Sequence, residues 1–274
     1  MLDKRVVAYY PIHYGIEWLY WSLRSVAPYV DGVVIVYSRN PSHGHTSTME
    51  NPETMADILN VVSSYCENNP DHKVDFVSYE GPNHEGHLRD YCVNLCSKDY
   101  GADVVMAVDA DEIWESEHLL KTLDYVIEHD NMIWRVPFVH YWKSLYRVCH
   151  DSAQPHRFTD VTSFNKDDGY VPSIYGSVHH CGYAQSLEIV EYKLSIHGHK
   201  AEIRPNWFEE VYSNPGRMFD LHPTNKNFWN CSYTTPNAEL QRLLFDHPYY
   251  DIRNIEHKWR QVMITQKYSF IPVE

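Results

Sequence analysis

Residues 102–114 read ADVVMAVDADEIW, a short apolar run that ends in a cluster of acids. The run Val104–Val108 predicts a buried strand, and three carboxylates follow it at once, Asp109, Asp111 and Glu112. Such a strand should point these charges out of its sheet. In open α/β sheets the ligand crevice lies beyond the carboxyl ends of the strands, so acids placed there can hold a metal at the mouth of a pocket. Asp109 and Asp111 are two apart, which on an extended chain sets both on one side, with small Ala110 leaving room for a ligand. Hard oxygens grouped in this way suit Mg²⁺ or Mn²⁺. The plainer reading is a solvated turn before a helix N-terminus, where acids are favoured anyway.

Working upstream, Arg5–Tyr10 predicts a first strand broken by Pro11, and Ile16, Leu19, Tyr20, Leu23 and Val26 then recur at helical spacing until Pro28. Gly32–Tyr37 is a second buried strand, so the chain opens β-α-β. The loop Pro11–Gly15 should share a sheet edge with the acids, where a nucleotide base commonly docks, and this makes Tyr10, Pro11 and His13 candidate nucleotide contacts. It contains no GxGxxG, which disfavours a dinucleotide dehydrogenase. After a polar loop carrying His43 and His45, Asn51 and Pro52 read as N-cap and first residue of a helix bearing Met55, Ile58, Leu59, Val62 and Tyr65. Val74–Tyr79 gives a third strand, and Leu88, Tyr91, Cys92 and Leu95 a third helix. Arg89 at its start could clamp a diphosphate with its planar fork, although an ordinary ion pair with Glu85 or Asp90 is the plainer reading.

Downstream, Ser116 can cap a helix carrying Leu119, Leu123 and Val126. Met132–Val139 predicts a strand in which Pro137 marks an edge or a bulge. From His140 to Gly176 the pattern is aromatic and irregular, as an acceptor-binding face on loops would be. Val178–Tyr183 contains His179 and His180, either of which could complete a metal shell as a neutral imidazole or simply be hydrogen-bonded. A helix from Leu187 follows, with Val190 and Leu194, and ends at His197-Gly198-His199.

With 274 residues and 43% hydrophobic content, the chain can bury one large core. It shows no Gly/Ser linker, repeat or low-complexity run. No eighteen-residue apolar stretch is present, so neither a signal peptide nor a membrane span is expected and the cytosol is the expected location. Six cysteines without a CxxC pair read as reduced and mostly buried, which leaves the sequon at Asn230 without consequence. A net charge of −14 opposes a generic nucleic-acid binder, which needs a basic footprint. The 22 Tyr and 8 Trp are mostly core fillers, and their polar edges also suit stacking on sugars or bases.

Together these pieces resemble the metal-dependent glycosyltransferases of the GT-A fold. The strand ending in Asp109-Ala110-Asp111-Glu112 looks like their DxD motif, with Arg89 on the neighbouring helix. The segment HHCGYAQSLEIVEYKLSIHGH, starting at His179, resembles the closing signature of families 2 and 17. The resemblance covers Arg5 to His199. It implies an α/β GT-A (Rossmann-like) domain over residues 1–203, a mixed sheet flanked by helices, with an irregular C-terminal extension over 204–274 packed on the same domain. It further implies Mn²⁺ or Mg²⁺ on Asp109, Asp111 and His180, with Lys193 the helix lysine at the donor. The donor would be a nucleotide-diphosphate sugar, UDP being the expected nucleotide, and the transfer of a hexosyl, pentosyl or N-acetylhexosaminyl group would proceed with inversion. The chain lacks the membrane anchor of eukaryotic family 17 enzymes and a clear acidic pair for the base, for which Asp167, Asp168, Glu209 and Glu210 are the candidates.

A bacterial or phage cytosolic enzyme suits this description, and two acceptors fit: a growing surface glycan, which is preferred, or a hydroxymethylated base in phage DNA. The region Tyr141–His156 offers only Lys143 and Arg147, then Arg157, against Asp151, although Tyr141, Trp142 and Tyr146 could stack on a flipped base. Rival classes are a nucleotidyltransferase, whose Gly-rich loop after the first strand is missing here, and a noncatalytic sugar-binding module. Phosphatases of the haloacid dehalogenase type keep Asp-x-Asp near the first strand, and a calcium loop would need Gly where Trp114 stands.

Overall fold

A computed structural model describes residues 4–41, 47–82, 84–149, 152–214, 216–224, 229–236 and 238–245. His43, His45 and Asp151 lie outside these residues. The architecture of the described residues is mixed α/β: two sheets, one of seven and one of five strands, with helices packed on them.

The seven-stranded sheet holds β1 (Val6–Ile12), β2 (Gly32–Ser38), β3 (Val74–Tyr79), β4 (Val104–Ala107), β6 (Ile133–Arg135), β9 (His156–Asp160) and β10 (Asp168–Tyr170), in the order β10-β6-β9-β4-β1-β2-β3. The strands β4, β1, β2 and β3 run parallel, and β9 is antiparallel to both β4 and β6. Alternation along β1 explains the layers. Val6, Ala8, Tyr10 and Ile12 face one core with side chains of α1 (Ile16–Val26), α2 (Met55–Asn68) and α4 (Ser116–Glu128), while Val7 and Tyr9 face the other with α3 (Glu85–Lys98).

Pro11 does not break β1, which continues to Ile12 with Pro11 opposite Val36. The Tyr9 carbonyl accepts from Val108 N on the β4 side, and Pro11, two residues on, points the same way after β4 has ended, so its missing N–H breaks no ladder. Two further expectations are corrected. The single strand 132–139 is two strands on either side of Pro137, β6 in the large sheet and β7 (Phe138–Trp142) in the small one. The helix expected from Asn51 begins at Met55, with Thr54 as N-cap in a capping box with Asp57, because a reciprocal pair satisfies two orphan donors there.

The five-stranded sheet runs β12-β8-β7-β11-β5, with β5 (Glu112–Ile113), β8 (Arg147–Cys149), β11 (Val178–Tyr183) and β12 (Cys231–Tyr233) joining β7. The segment 140–176, expected as loops, therefore supplies strands to both sheets. Next come α5 (Leu187–Ser195) and, towards the end, α6 (Ala238–Phe245). Trp207, Tyr212, Leu221 and Trp229 from beyond residue 203 share one core with Trp142, Tyr183, Val190 and Leu194. No helix among the described residues is long and apolar enough to cross a membrane.

Candidate active site

The parallel strands β1, β2 and β4 all end at one cavity of about 380 Å³, lined by Pro11–Gly15, Ser38, Asn40, Glu85, Arg89, Asp109–Asp111, His180 and Lys193 among others. It adjoins a second cavity of about 340 Å³ that shares His180, Lys193, His197 and His199 and adds Tyr183, Glu202, His222, Thr224 and Trp229.

The three acids do not behave alike. Residues 109–112 form a tight turn, with Glu112 N donating to the Asp109 carbonyl at 3.0 Å, so Asp109 and Asp111 reach the cavity through a turn and not along an extended chain. Glu112 instead turns inward as the start of β5 and is fully buried. Its partner is Arg157 of β9, whose Nε lies 2.9 and 3.1 Å from the two carboxylate oxygens while Nη2 reaches Asp109 Oδ2 at 2.7 Å. Burial disfavours the Arg157 charge, but Glu112 and Asp109 outweigh it and hold the guanidinium above its ordinary range. Burial likewise opposes ionisation of Asp109, yet Arg157 and then Arg89 pull its pKa down to about 2. Asp111 is shifted the other way, upward, because burial and Asp109 prevail over Lys193. Its Oδ2 accepts from Gln185 Nε2 at 2.9 Å and lies 3.6 Å from Lys193 Nζ; its Oδ1 is 3.5 Å from His180 Nε2.

His179 and His180 point to opposite faces of β11. His179 is held between Glu115 Oε1 at 2.5 Å and the Tyr141 hydroxyl at 2.8 Å, both away from the cavity. His180 lines both cavities, stacks on Phe138 and shares a 2.9 Å Nδ1–Nδ1 hydrogen bond with His140. Burial, then Lys193, lowers its pKa to about 3, so the ring is neutral at ordinary pH. Gly182 makes this packing possible: a Cβ there would come within 2.5 Å of His180 Cε1 and 2.8 Å of Lys193 Nζ.

Pro11 and His13 line the first cavity, but Tyr10 does not. Its ring is fully buried on the opposite side of β1 and its hydroxyl accepts from Ser22 on α1, which corrects its expected role. His13 Nδ1 donates to the Ser38 carbonyl at 2.9 Å, so Nε2 accepts from the Tyr192 hydroxyl at 2.7 Å. The neutral ring this requires agrees with its pKa, lowered by burial. Two residues that no site motif marked set this loop: Asn51, expected as a helix N-cap, donates Nδ2–H to the His13 carbonyl at 2.9 Å, and the buried Glu53 accepts from Gly15 N at 2.5 Å and Ile16 N at 3.0 Å. Gly15 has φ +123°, a conformation glycine adopts without strain, and its Cα side packs towards Ala110. Arg89 lines the cavity and also pairs with Glu85, Nε to Oε1 at 2.8 Å, as the plainer reading expected.

The candidate bases are corrected. Asp167 and Asp168 are exposed at the far edge strand of the large sheet, where Asp168 Oδ2 accepts from Arg135 Nε at 2.8 Å. Glu209 and Glu210 are exposed on a short π-helical turn, and none of the four lines either cavity. The carboxylate that does line the second cavity is Glu202, 3.3 Å from His199 Nδ1. Of the three rings expected to stack on a flipped base, Tyr141 and Trp142 are 4% and 0% exposed and Tyr146 is 37% exposed, so only Tyr146 presents a face to solvent. Arg157 and Gln185 had no motif to reveal them, since each meets its acid across a fold contact far apart in sequence.

Among the described residues, no three His, Cys, Asp or Glu side chains converge closely enough to cage a metal ion. Asp109, Asp111 and His180 nevertheless share one cavity wall. No protein-family model matches the chain, and no curated protein does. Among solved structures it is similar to glucosyl-3-phosphoglycerate synthase from Mycobacterium tuberculosis in complex with Mn²⁺, UDP and phosphoglyceric acid, at 12% identity and TM-score 0.33, over 50% of this chain and 44% of that one. It is similar to S. aureus TarS in complex with UDP-GlcNAc at 21% identity and TM-score 0.33, over 50% and 35%. A 4-diphosphocytidyl-2C-methyl-D-erythritol synthase aligns at 15% identity and TM-score 0.33, over 58% and 76%. The chain thus spans less than half the length of the first two.

Proposed function

We propose that the chain is a metal-dependent glycosyltransferase that moves a sugar from a nucleotide-diphosphate donor to an acceptor hydroxyl, with inversion. The observation that carries this reading is the convergence of Asp109, Asp111, His180, Arg89, Lys193 and the loop Pro11–Gly15 on one cavity at the carboxyl ends of parallel strands. The donor set suits Mn²⁺ or Mg²⁺: two carboxylates and a neutral imidazole, with hard oxygens dominant. Because they do not close into a cage, water and diphosphate oxygens would supply the remaining ligands, as is usual for Mg²⁺ beside phosphates. A bound ion would neutralise charge on the diphosphate leaving group.

The chain's own groups do the rest. Arg89 and Lys193 flank the acids and can bind phosphate oxygens, the guanidinium as a planar fork and the ammonium as a point charge. Pro11, His13 and Tyr14 wall the end of the cavity where a uracil would sit, and Asn51 and Glu53 hold that wall in place. The second cavity, across His180 and Lys193, would admit the acceptor, and its aromatic and imidazole lining favours an uncharged glycan over DNA. Glu202 stands there to take the hydroxyl proton as oxygen bonds to the anomeric carbon and the bond to diphosphate breaks.

The test is thermal shift against a panel of nucleotide sugars and nucleoside triphosphates, with and without Mn²⁺. A Mn²⁺-dependent rise in melting temperature with UDP-sugars is expected, since a ligand bound only by the folded state stabilises it. A rise with triphosphates alone would favour a nucleotidyltransferase and sink the proposal. In the same protein Glu202→Gln should lower turnover about 10²–10⁴-fold and leave the UDP-sugar shift unchanged.

A further inference from the structure

We propose that Cys149 and Cys231 are a redox-modifiable pair that closes into a disulfide joining β12 to β8. The two residues are directly opposite in the antiparallel pairing of these strands, and both are buried in the same core cluster, at 3% and 6% exposure. Opposite residues on neighbouring antiparallel strands are about 4.5 or 5.5 Å apart at Cα, inside the range of about 4.4–6.8 Å that a disulfide spans.

The hydrogen bonding decides which of the two spacings applies. Thr234 N donates to the Tyr146 carbonyl at 2.9 Å, which makes Tyr146 and Thr234 a hydrogen-bonded pair. Bonded pairs alternate along the ladder, so Val148 with Ser232 is the next, and Cys149 with Cys231 falls at a non-bonded site. Cys231 N agrees, because it donates away from β8 to the Met218 carbonyl at 2.9 Å. Non-bonded sites bring side chains closest, so two thiols there can meet without moving the backbone.

The reaction is thiol–disulfide exchange with a small disulfide of the glutathione type. One cysteine thiolate attacks the oxidant, releasing one thiol; the second attacks the mixed disulfide, releasing another, and the two protons leave with the released thiols. Burial raises the Cys231 pKa, with Arg147 opposing, so the exchange should be slow near neutrality and faster in alkaline buffer. Both thiols are buried, so exchange requires local opening of β12, which among the described residues is the terminal strand of its sheet. The bridge would fix the segment carrying Trp229, which lines the second cavity, to the strand whose Cys149 lies opposite His140, the hydrogen-bond partner of His180. Nothing in the pairing depends on the proposed reaction.

The test is incubation of the folded chain with oxidised glutathione at pH 8.5, followed by alkylation and peptide mapping. Two of the six cysteines should escape alkylation, with the Cys149 and Cys231 peptides joined, and dithiothreitol should restore all six. The oxidised protein should melt at a higher temperature than the reduced one, and a Cys149→Ser/Cys231→Ser double variant should show no such difference. Six alkylated cysteines after oxidation, a bridge between Cys92 and Cys96, or a stable glutathione adduct on either residue would each overturn the proposal.

Discussion

Around β1 the core is mostly aliphatic, Val, Ile, Leu and Met alternating across parallel strands, whereas around β7 and β11 it is built from Trp142, Tyr183, Trp207, Tyr212 and Trp229. The difference governs how each region places its functional groups. In the first, non-directional packing fixes strand ends, and the acids are delivered by where β4 stops. In the second, two of the rings place the backbone through their polar edges: Trp207 Nε1 donates to the Leu221 carbonyl at 3.0 Å, and the Tyr212 hydroxyl is 3.2 Å from the Tyr183 carbonyl and 3.1 Å from that of Gln185. Those bonds hold the backbone that presents Gln185 to Asp111. The site straddles the two regions, with Asp109 and Asp111 from the first facing His180, Lys193 and Glu202 from the second.

Arg157 is where the regions are tied, since it lies in the large sheet and binds Glu112 of the small one. Arg157→Met should therefore have the largest effect on stability, about 3–5 kcal/mol in denaturant unfolding, because it strands a buried carboxylate. The double variant Arg157→Met/Glu112→Gln should recover much of that loss. If the single variant costs under ~1 kcal/mol, the two sheets are not joined through this pair.

Much of the first region was legible in the sequence and little of the second. The runs at Arg5–Tyr10, Gly32–Tyr37 and Val104–Val108 announce themselves because parallel strands buried on both faces are continuously apolar. The strands β6, β8, β10 and β12 are three residues each, too short to carry a period, and Pro137 separates two sheets where the sequence suggested a single bulged strand. Asp109, Asp111, Arg89, His13 and Lys193, which line the first cavity, could be singled out because motif spacing is local. Arg157, Gln185, Glu53 and Glu202 were not, because each acts on a partner that only the fold supplies. The bases failed for the same reason: acidity is visible in sequence, but the cavity it must face is not.

The second effect separates function from packing at Asp111. Its carboxyl is pushed upward by burial, so its ionised form is held at a cost to the folded state. On the proposed function, Asp111→Asn should lower transfer about 10²–10³-fold, while unfolding at pH 7 is no easier than in the wild type. An unfolding midpoint that drops with the activity would show that Asp111 is there for the fold.

The third effect is a pH dependence at Glu53. Burial raises its pKa from 4.5 to about 7, with its two backbone hydrogen bonds opposing and Glu17 and Asp57 adding to the rise. The native state thus holds this proton more tightly than the unfolded chain does, so the contribution to stability is complete below about pH 4.5 and is lost as the pH rises through 7. Glu53→Gln keeps an oxygen for Gly15 and Ile16 and cannot ionise. Its stability relative to wild type should climb between pH 5 and pH 8, by up to roughly 3 kcal/mol. A difference that stays flat across that range would place the titration elsewhere.

The smallest effect sharpens the comparison at the surface. Asp168 sits on the edge strand β10 with about a third of its side chain exposed, pairing with a similarly exposed Arg135. In that setting the Coulomb gain is screened and two side chains lose freedom, so the pair contributes about 0–1 kcal/mol. Asp168→Asn and Glu209→Gln should each leave unfolding within about 0.5 kcal/mol of wild type. Turnover on any donor and acceptor should also be unchanged, because neither group faces a cavity where a hydroxyl could be deprotonated. Glu202→Gln in the same assay supplies the contrast: it is a surface carboxylate by exposure and a cavity carboxylate by position. If Asp168→Asn lowered turnover more than Glu202→Gln did, the acceptor would have to approach from the edge of the large sheet, and the second cavity would lose its role.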